Sequence, residues 1–166
     1  LRSIVAHGKG THKYDNARIG LNARLDTLQA AVLLAKMDIF PREIELRQKV
    51  AENYTKGLSP CAVLAAPYIP DGCRNAWAQY SVLAKDAKVR AKFQTRLNEN
   101  GIPTAVYYPI PLHLQPAFSY LGYREGDFPV SEECSKRIFS LPMHPYLGEK
   151  EIEHICDVIC AEIRKR

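Results

Sequence analysis

The chain has 166 residues, of which 46% are hydrophobic and 25% are charged. These values are close to the averages of globular proteins, so the composition excludes a disordered, collagen-like or coiled-coil chain, and the length suits one compact body with its own core. The formal net charge of +5 suits an anionic partner, and leaves phosphorylated small molecules, nucleic acid and acidic lipids open.

Neither a membrane span nor a disulfide framework is expected. The longest apolar stretch, residues 30–35, is far shorter than the roughly 20 residues that cross a bilayer. The cysteines are odd in number and irregularly spaced, which favours a reducing cytoplasm over secretion; they are Cys61, Cys73, Cys134, Cys156 and Cys160. Because the chain begins at Leu1 without a leader pattern, we expect it to be part of a longer protein.

The first third of the chain predicts a connection followed by two helices. Residues 8–20 mix glycine, charge and turn formers without an apolar period, which predicts an extended connection. Asp26 precedes Gln29 by three residues, and this capping pattern predicts a helix that starts near Asp26. The helix is apolar nearly all round, as is typical of a helix buried in a core or between two bodies. Pro41 then breaks or restarts it, and an amphipathic stripe continues to Gly57.

The middle of the chain predicts a small sheet and a helix. The apolar period changes towards two after Pro60, which predicts strands at residues 62–65 and 76–83. A basic helix is predicted at residues 86–100, because apolar residues recur every four positions and a glycine follows its end. Residues 102–108 are predicted to form a further strand.

The last part predicts an irregular segment and two helices. Four prolines in residues 109–129 predict an ordered irregular excursion, with a helical turn near residues 116–120. Ser131 is predicted to cap a helix over residues 131–138, and residues 149–164 carry an isoleucine stripe on one helical face. The fold class is therefore a small mixed α/β sandwich, with three or four short strands packed with helices.

Local motifs alone do not specify a chemistry. Residues 8–10 lack the third glycine and the preceding strand of a dinucleotide-binding loop, so a hinge is favoured. Cys156 and Cys160 lie four residues apart near His154, but Cys156 falls on the apolar stripe, so core packing is favoured over a metal site. No metal is predicted, and no serine or cysteine nucleophile motif is present.

Longer segments resemble a known family. RIGLNARLDTLQAAVL at residues 18–33, YYPIPLHLQPAF at 107–118, GYREGDFPVSEE at 122–133 and SLPMHPYL at 140–147 are similar to the carboxyl-terminal portion of the DegT/DnrJ/EryC1/StrS sugar aminotransferases. The similarity covers essentially the whole chain in the right order. The opening residues 7–20 resemble most the members that aminate a UDP-linked 3-keto sugar acid.

The resemblance implies a fold and a reaction. The fold would be that of fold-type I pyridoxal-phosphate transferases, with residues 1–40 as the end of the large cofactor domain and connecting helix, and residues 41–166 as the small α/β domain. The reaction would pass an amino group, from glutamate, to a nucleotide-linked keto sugar in cytoplasmic polysaccharide biosynthesis. The family's cofactor-anchoring lysine lies upstream of the position matched by Leu1, so no catalytic residue is assigned and the isolated chain is expected to be inactive.

Two candidate site residues precede the first helix. Relatives form homodimers with a shared active site, and Asn22 occupies the position of an asparagine that contacts the cofactor phosphate of the opposite subunit. An amide donor just before a helix suits a phosphate, although Asn22 is also a typical turn or cap residue. The planar fork of Arg24 matches a diphosphate or a sugar carboxylate, and the alternative is an ordinary surface arginine.

Three further candidates lie in the segment that approaches the nucleotide-sugar in relatives: Tyr107, Tyr108 and His113. Relatives often have histidine where this chain has Tyr107, but a phenol still donates to a sugar hydroxyl. The alternatives are a tyrosine packed at a strand end and a histidine satisfied by the backbone. His144 is interpreted as structural.

Two other functions stay open. The first long helix has apolar surface to spare, which also suits a non-catalytic dimerisation or regulatory domain. Nucleic-acid binding rests only on the net charge of +5, without interleaved basic and aromatic residues, and is not expected.

Overall fold

The computed structural model describes residues 1–12 and 15–164. The chain divides into two compact units, Leu1–Pro41 and Arg42–Arg166. The division falls next to the predicted boundary between residues 40 and 41.

The first unit begins with a chain that folds back on itself. Ala6 and Asn22 form an antiparallel bridge, and Gly8 lies against the backbone of Arg18. A Cβ atom at Gly8 would lie only 1.7 Å from the carbonyl oxygen of Arg18, so only glycine permits this close crossing. The predicted extended connection over residues 8–20 is therefore wrong for the described residues of that segment, which exclude 13 and 14.

Helix α1, Thr27–Met37, follows this loop. The carboxylate of Asp26 accepts a hydrogen bond from the backbone N–H of Leu28 at 2.8 Å, which confirms the predicted start of the helix. No residue of α1 is buried, so the helix does not lie in a core formed by the described chain. Helix α2, Phe40–Leu58, begins next to Pro41 as predicted.

The second unit contains a three-stranded antiparallel sheet in the order β1-β2-β3. The strands are β1, Leu64–Ala65, β2, Tyr80–Ala84, and β3, Ile138–Leu141. Their number agrees with the predicted three or four, although β1 and β2 are shorter than predicted. Alternate residues of β2 are fully buried, because successive side chains of a strand point to opposite faces of the sheet.

Three helices and two 3₁₀ helices complete this unit. The helices are α3, Ala87–Glu99, α4, Pro129–Arg137, and α5, Glu149–Arg164. The 3₁₀ helices are Leu112–Leu114 and Pro116–Leu121, within the predicted irregular segment. Among the helices of the described residues, none is long and apolar enough to span a membrane.

The hydrophobic core lies between the sheet and helices α2, α3 and α5. The rings of Tyr54 and Tyr80 stack with centroids 4.9 Å apart, and those of Phe93 and Phe139 stack at 6.4 Å. The hydroxyl of Tyr54 also donates to the carbonyl oxygen of Pro142 at 2.9 Å. These contacts of Tyr54 join α2 to β2 and to the residue that follows β3.

Two predicted elements differ from the structure. Residues 102–108 are not a strand, and their described pairing is a bridge of Ala105 to Ser140. Pro103 within the segment and Pro109 directly after it have no backbone N–H to donate. The helix predicted from a Ser131 cap begins earlier, at Pro129, and no side chain caps it. Proline at the first helical position is preorganised for the helix and replaces the cap.

Candidate functional site

The loop before α1 presents an exposed side-chain amide, that of Asn22. The backbone around Asn22 is held on both sides, because the N–H of His7 donates to Leu21 O and the N–H of Ala23 donates to Val5 O, both at 3.0 Å. The Asn22 side chain is exposed and its amide makes no hydrogen bond to another described residue. The amide is therefore available to a ligand on a backbone that is already ordered.

Arg24 follows on the same stretch, two residues before the cap of α1. Its side chain is exposed, and within the described part of the chain it forms no salt bridge. The N-terminus of α1 carries a partial positive charge from the aligned peptide dipoles. An exposed amide, a guanidinium and a helix N-terminus together form a donor set that fits a phosphate or carboxylate.

A cleft of about 610 Å³ lies in the second unit. Tyr107 and Tyr108, which are 43% and 73% exposed, line it together with residues of the 3₁₀ helices. Helix α4 contributes Ser131, Cys134 and Ser135 to the same lining. The cleft thus combines apolar walls with several hydroxyl groups, which is typical of a site for a small polar molecule.

His113 lies beside this cleft and is held by a carboxylate. Its Nε2 atom is 3.0 Å from Oε1 of Glu132, and both side chains are only 8% exposed. The ring also packs against Phe128, with centroids 4.7 Å apart. His113 was predicted either to bind substrate or to be hydrogen-bonded to the backbone. In the structure its ring is hydrogen-bonded within the chain, but the partner is the side chain of Glu132.

Glu132 joins three parts of the chain. Besides His113, its carboxylate accepts hydrogen bonds from the backbone N–H of Gly126 at 2.9 Å and from that of Phe128 at 3.2 Å. Burial raises the pKa of Glu132, but the three hydrogen bonds together lower it by more than burial raises it. The pKa of Glu132 therefore lies below its ordinary value. Glu132 is therefore a carboxylate near neutral pH and holds the wall of the cleft against α4.

Sequence analysis alone did not single out Glu132. Its only signal is its place within the segment 122–133 that resembles the family. The candidate residues fall into two groups, Asn22 and Arg24 in the first unit and Tyr107, Tyr108 and His113 in the second. Asn22 and Arg24 lie two residues apart on one loop, and Tyr107 and Tyr108 line the same cleft, whereas His113 is not part of its lining.

The fold is that of an aminotransferase. A crystal structure of a DegT DnrJ EryC1 StrS aminotransferase from Brucella abortus matches the chain with a TM-score of 0.83 and 46% sequence identity, over 96% of this chain and 42% of that chain. The chain belongs to the DegT/DnrJ/EryC1/StrS aminotransferase family, whose sequence pattern matches residues 1–160. This family consists of pyridoxal-phosphate-dependent aminotransferases, so the predicted family and fold class are confirmed.

The similar proteins include one named as an aminotransferase and one named as a regulatory protein. The chain is 42% identical over 156 residues to the UDP-2-acetamido-2-deoxy-3-oxo-D-glucuronate aminotransferase of Pseudomonas aeruginosa, with 94% of this chain and 41% of that protein covered. It is 40% identical over 160 residues to a "Pleiotropic regulatory protein" of Geobacillus stearothermophilus, with 95% and 42% covered. The chain thus spans about two fifths of the length of these relatives.

Proposed function

We propose that the chain is the carboxyl-terminal part of an aminotransferase that passes an amino group from glutamate to the keto carbon of a UDP-linked sugar acid. The observation that carries the proposal is the family match over residues 1–160, together with the 42% identity to the Pseudomonas aeruginosa aminotransferase. The proposed setting is the synthesis of a surface polysaccharide in the cytoplasm.

The cofactor of the proposed reaction is pyridoxal phosphate, which when bound supplies the carbonyl and the electron sink that amino transfer requires. The residues of the first unit fit its phosphate and the anionic substrate. Asn22, whose amide is unpartnered among the described residues, donates a hydrogen bond to the cofactor phosphate. Arg24 binds the diphosphate or the sugar carboxylate through its two parallel N–H groups.

The residues of the second unit bind the sugar nucleotide. Tyr107 and Tyr108 line the cleft and donate their phenolic hydroxyls to the sugar. Glu132 holds His113 through Nε2, which leaves Nδ1 as the ring atom that contacts substrate. Glu132 itself orients this segment and does not touch the substrate.

The active site is proposed to be shared between two subunits of a homodimer. Helix α1 is apolar on nearly every face, yet none of its residues is buried. Exposed apolar patches beyond a few hundred Å² are rare on monomers and mark interfaces. Asn22 and Arg24 lie just before this helix, so an interface along α1 brings them to the neighbouring subunit.

The test of the shared site is complementation in the full-length protein. One subunit carries Arg24→Ala and the other lacks the cofactor-anchoring lysine. The first homodimer alone is expected to have low activity, and the second none. A mixed dimer has one site with both groups and one site with neither, so activity should return at one of its two sites. Mixed dimers that form but remain inactive would assign Arg24 to the site of its own subunit or to the surface.

The isolated chain gives a second test. The anchoring lysine is proposed to lie upstream of Leu1, so the 166-residue chain incubated with pyridoxal phosphate should show no turnover. Borohydride reduction should trap no stoichiometric attachment at a single lysine. Stoichiometric trapping at one lysine together with turnover contradicts this part of the proposal.

The alternative function is a non-catalytic dimerisation or regulatory domain. The name of the Geobacillus stearothermophilus relative and the exposed apolar α1 favour it. The two functions differ in the region upstream of Leu1, because only an aminotransferase requires a cofactor-anchoring lysine there. A full-length protein that associates into dimers but binds no pyridoxal phosphate would support the regulatory function.

A further inference from the structure

A pair of cysteine thiols lies in the second unit, outside the lining of the cleft. Cys61 comes three residues after the end of α2, and Cys160 lies on α5. Their Sγ atoms are 2.9 Å apart, although the two residues are separated by 99 positions in the chain. Because a disulfide bond is about 2.05 Å long, a movement of about 1 Å closes the bond.

Both thiols are held in place by ordered structure. The N–H of Cys61 donates to Leu58 O at 2.9 Å, and its carbonyl accepts from the N–H of Leu64 at 3.0 Å. Cys160 is fixed by its position within α5, and its sulfur lies 3.9 Å from the carbonyl oxygen of Gly57. The approach of the two sulfurs is therefore determined by how the end of α2 packs on α5.

The two thiols differ in access. Cys61 is only 2% exposed, whereas Cys160 is half-buried and reaches the surface. Cys156 lies one turn earlier on α5, is 5% exposed, and has its pKa raised to about 12 by burial and by the neighbouring Cys160 and Asp157. Cys156 thus stays a protonated thiol, and Cys160 is the thiol of this cluster that meets a reagent first.

We propose that Cys61 and Cys160 form a thiol–disulfide exchange site that takes a low-molecular-weight disulfide such as oxidised glutathione. The Cys160 thiolate attacks one sulfur of the reagent, whose S–S bond breaks and releases one glutathione thiolate. Cys61, as its thiolate, then attacks the sulfur of Cys160, and the mixed disulfide breaks to release the second glutathione. Two protein sulfurs are oxidised, two glutathione sulfurs are reduced, and the two thiol protons pass through solvent to the glutathione thiolates.

The crosslink ties the end of α2 to the last helix and encloses the whole sheet. Closing a loop of 99 positions removes much conformational freedom from the unfolded chain, and the effect grows with loop length. The oxidised protein should therefore melt about 5–15 °C above the reduced protein. Excess reduced thiol should reverse the change.

The experiment compares the folded chain before and after incubation with oxidised glutathione. Expected are a peptide joining Cys61 to Cys160 in a non-reducing digest, lighter by two hydrogen atoms than its two reduced parts together, and the higher melting temperature. Cys73→Ser is the matched control, because Cys73 is exposed and its replacement leaves the pair intact. Cys61→Ser should instead keep one glutathione on Cys160 and gain no thermal stability.

The wild-type digest alone decides the outcome, so the test does not depend on the folding of a variant. Glutathione attached to Cys73 without any Cys61–Cys160 peptide would show that the reagent was active and the pair inert, which overturns the proposal. A crosslink that joins Cys160 to Cys156 instead would also overturn it. A crosslink found only above the melting temperature would show that the folded geometry does not guide the reaction.

Discussion

Replacing Asn22 by alanine in the full-length protein is expected to weaken the binding of pyridoxal phosphate and leave the fold intact. The side chain of Asn22 is exposed, and among the described residues its amide has no partner whose loss would destabilise the protein. The bridge to Ala6 uses only the backbone, and alanine keeps it. The free energy of unfolding should therefore change by no more than about 0.5 kcal/mol.

Under the proposed function, Asn22→Ala removes one hydrogen bond to the cofactor phosphate, and this sets the expected loss of affinity. A hydrogen bond to a charged group contributes about 1.5–3 kcal/mol. Since every 1.4 kcal/mol or so is a factor of ten in Kd, the cofactor should dissociate about 10- to 150-fold more readily. The loss stays near the lower limit if water replaces the amide at the exposed site.

The assay is an equilibrium titration of the cofactor-free enzyme with pyridoxal phosphate, followed by fluorescence. Asn16→Ala is the matched control, because Asn16 is also an exposed asparagine whose backbone forms a bridge in the same loop. It should bind like the wild type. Equal affinity of Asn22→Ala and the wild type would refute the phosphate contact, and equal losses in both variants would indicate a general disturbance of the loop.

Three further predictions concern the site and the core. Under the proposed function the Arg24 guanidinium binds substrate and not cofactor, so Arg24→Ala should lower kcat/KM for the nucleotide-sugar while the Kd of pyridoxal phosphate stays unchanged. Equal losses in both would contradict this. Tyr54→Phe removes the hydrogen bond to Pro142 O and should lower the free energy of unfolding by about 1–3 kcal/mol in a urea titration. Burial, chiefly, raises the pKa of Tyr54 above its ordinary value, so the folded state holds this proton more tightly than the unfolded state. The stabilisation that comes from holding this proton is complete below about pH 10 and is lost as the pH rises above it. Tyr54→Phe lacks this proton, so its free energy of unfolding should fall less over the same pH range. The pKa of Glu132 is lowered, so its carboxylate stabilises the fold above about pH 4.3 and less as the pH falls below it. Glu132→Gln should therefore melt below the wild type near pH 7, and the difference in Tm should shrink towards pH 3; a constant difference would contradict the role of the charge.

Local signals predicted the helices well. Asp86 caps α3 by accepting from the N–H of Val89 at 2.8 Å, and Gly101 follows that helix with a φ of 71°. A capping residue, an apolar period and a glycine after the last turn each involve residues that are close in sequence. Such helices can therefore be predicted from local sequence patterns. The start of α1 at Asp26 was predictable for the same reason.

Elements that depend on distant partners were not predictable. Strand β3 is a short apolar run directly after α4, and only its pairing with β2 makes it a strand. The crossing of Gly8 and Arg18 and the contact of His113 with Glu132, 19 positions away, likewise join residues that no local pattern relates. Of the candidate site, the exposure of Asn22 and Arg24 agrees with a binding role, but their role itself comes from the family resemblance and stays a prediction.

The buried hydrophobic residues of the core and the 3₁₀ helices beside the cleft are different parts of the chain. The buried hydrophobic residues of the described chain all fall between Val50 and Ile159, whereas the two 3₁₀ helices beside the cleft contain none. His113, which holds Glu132, is the exception in these short helices. A substitution at their other positions removes no buried hydrophobic residue and should change stability little. Under the proposed function, the wall of the cleft can diverge, and with it the sugar that is accepted, without a compensating mutation in the core. Libraries randomised over residues 114–121 should consequently keep a high fraction of folded members.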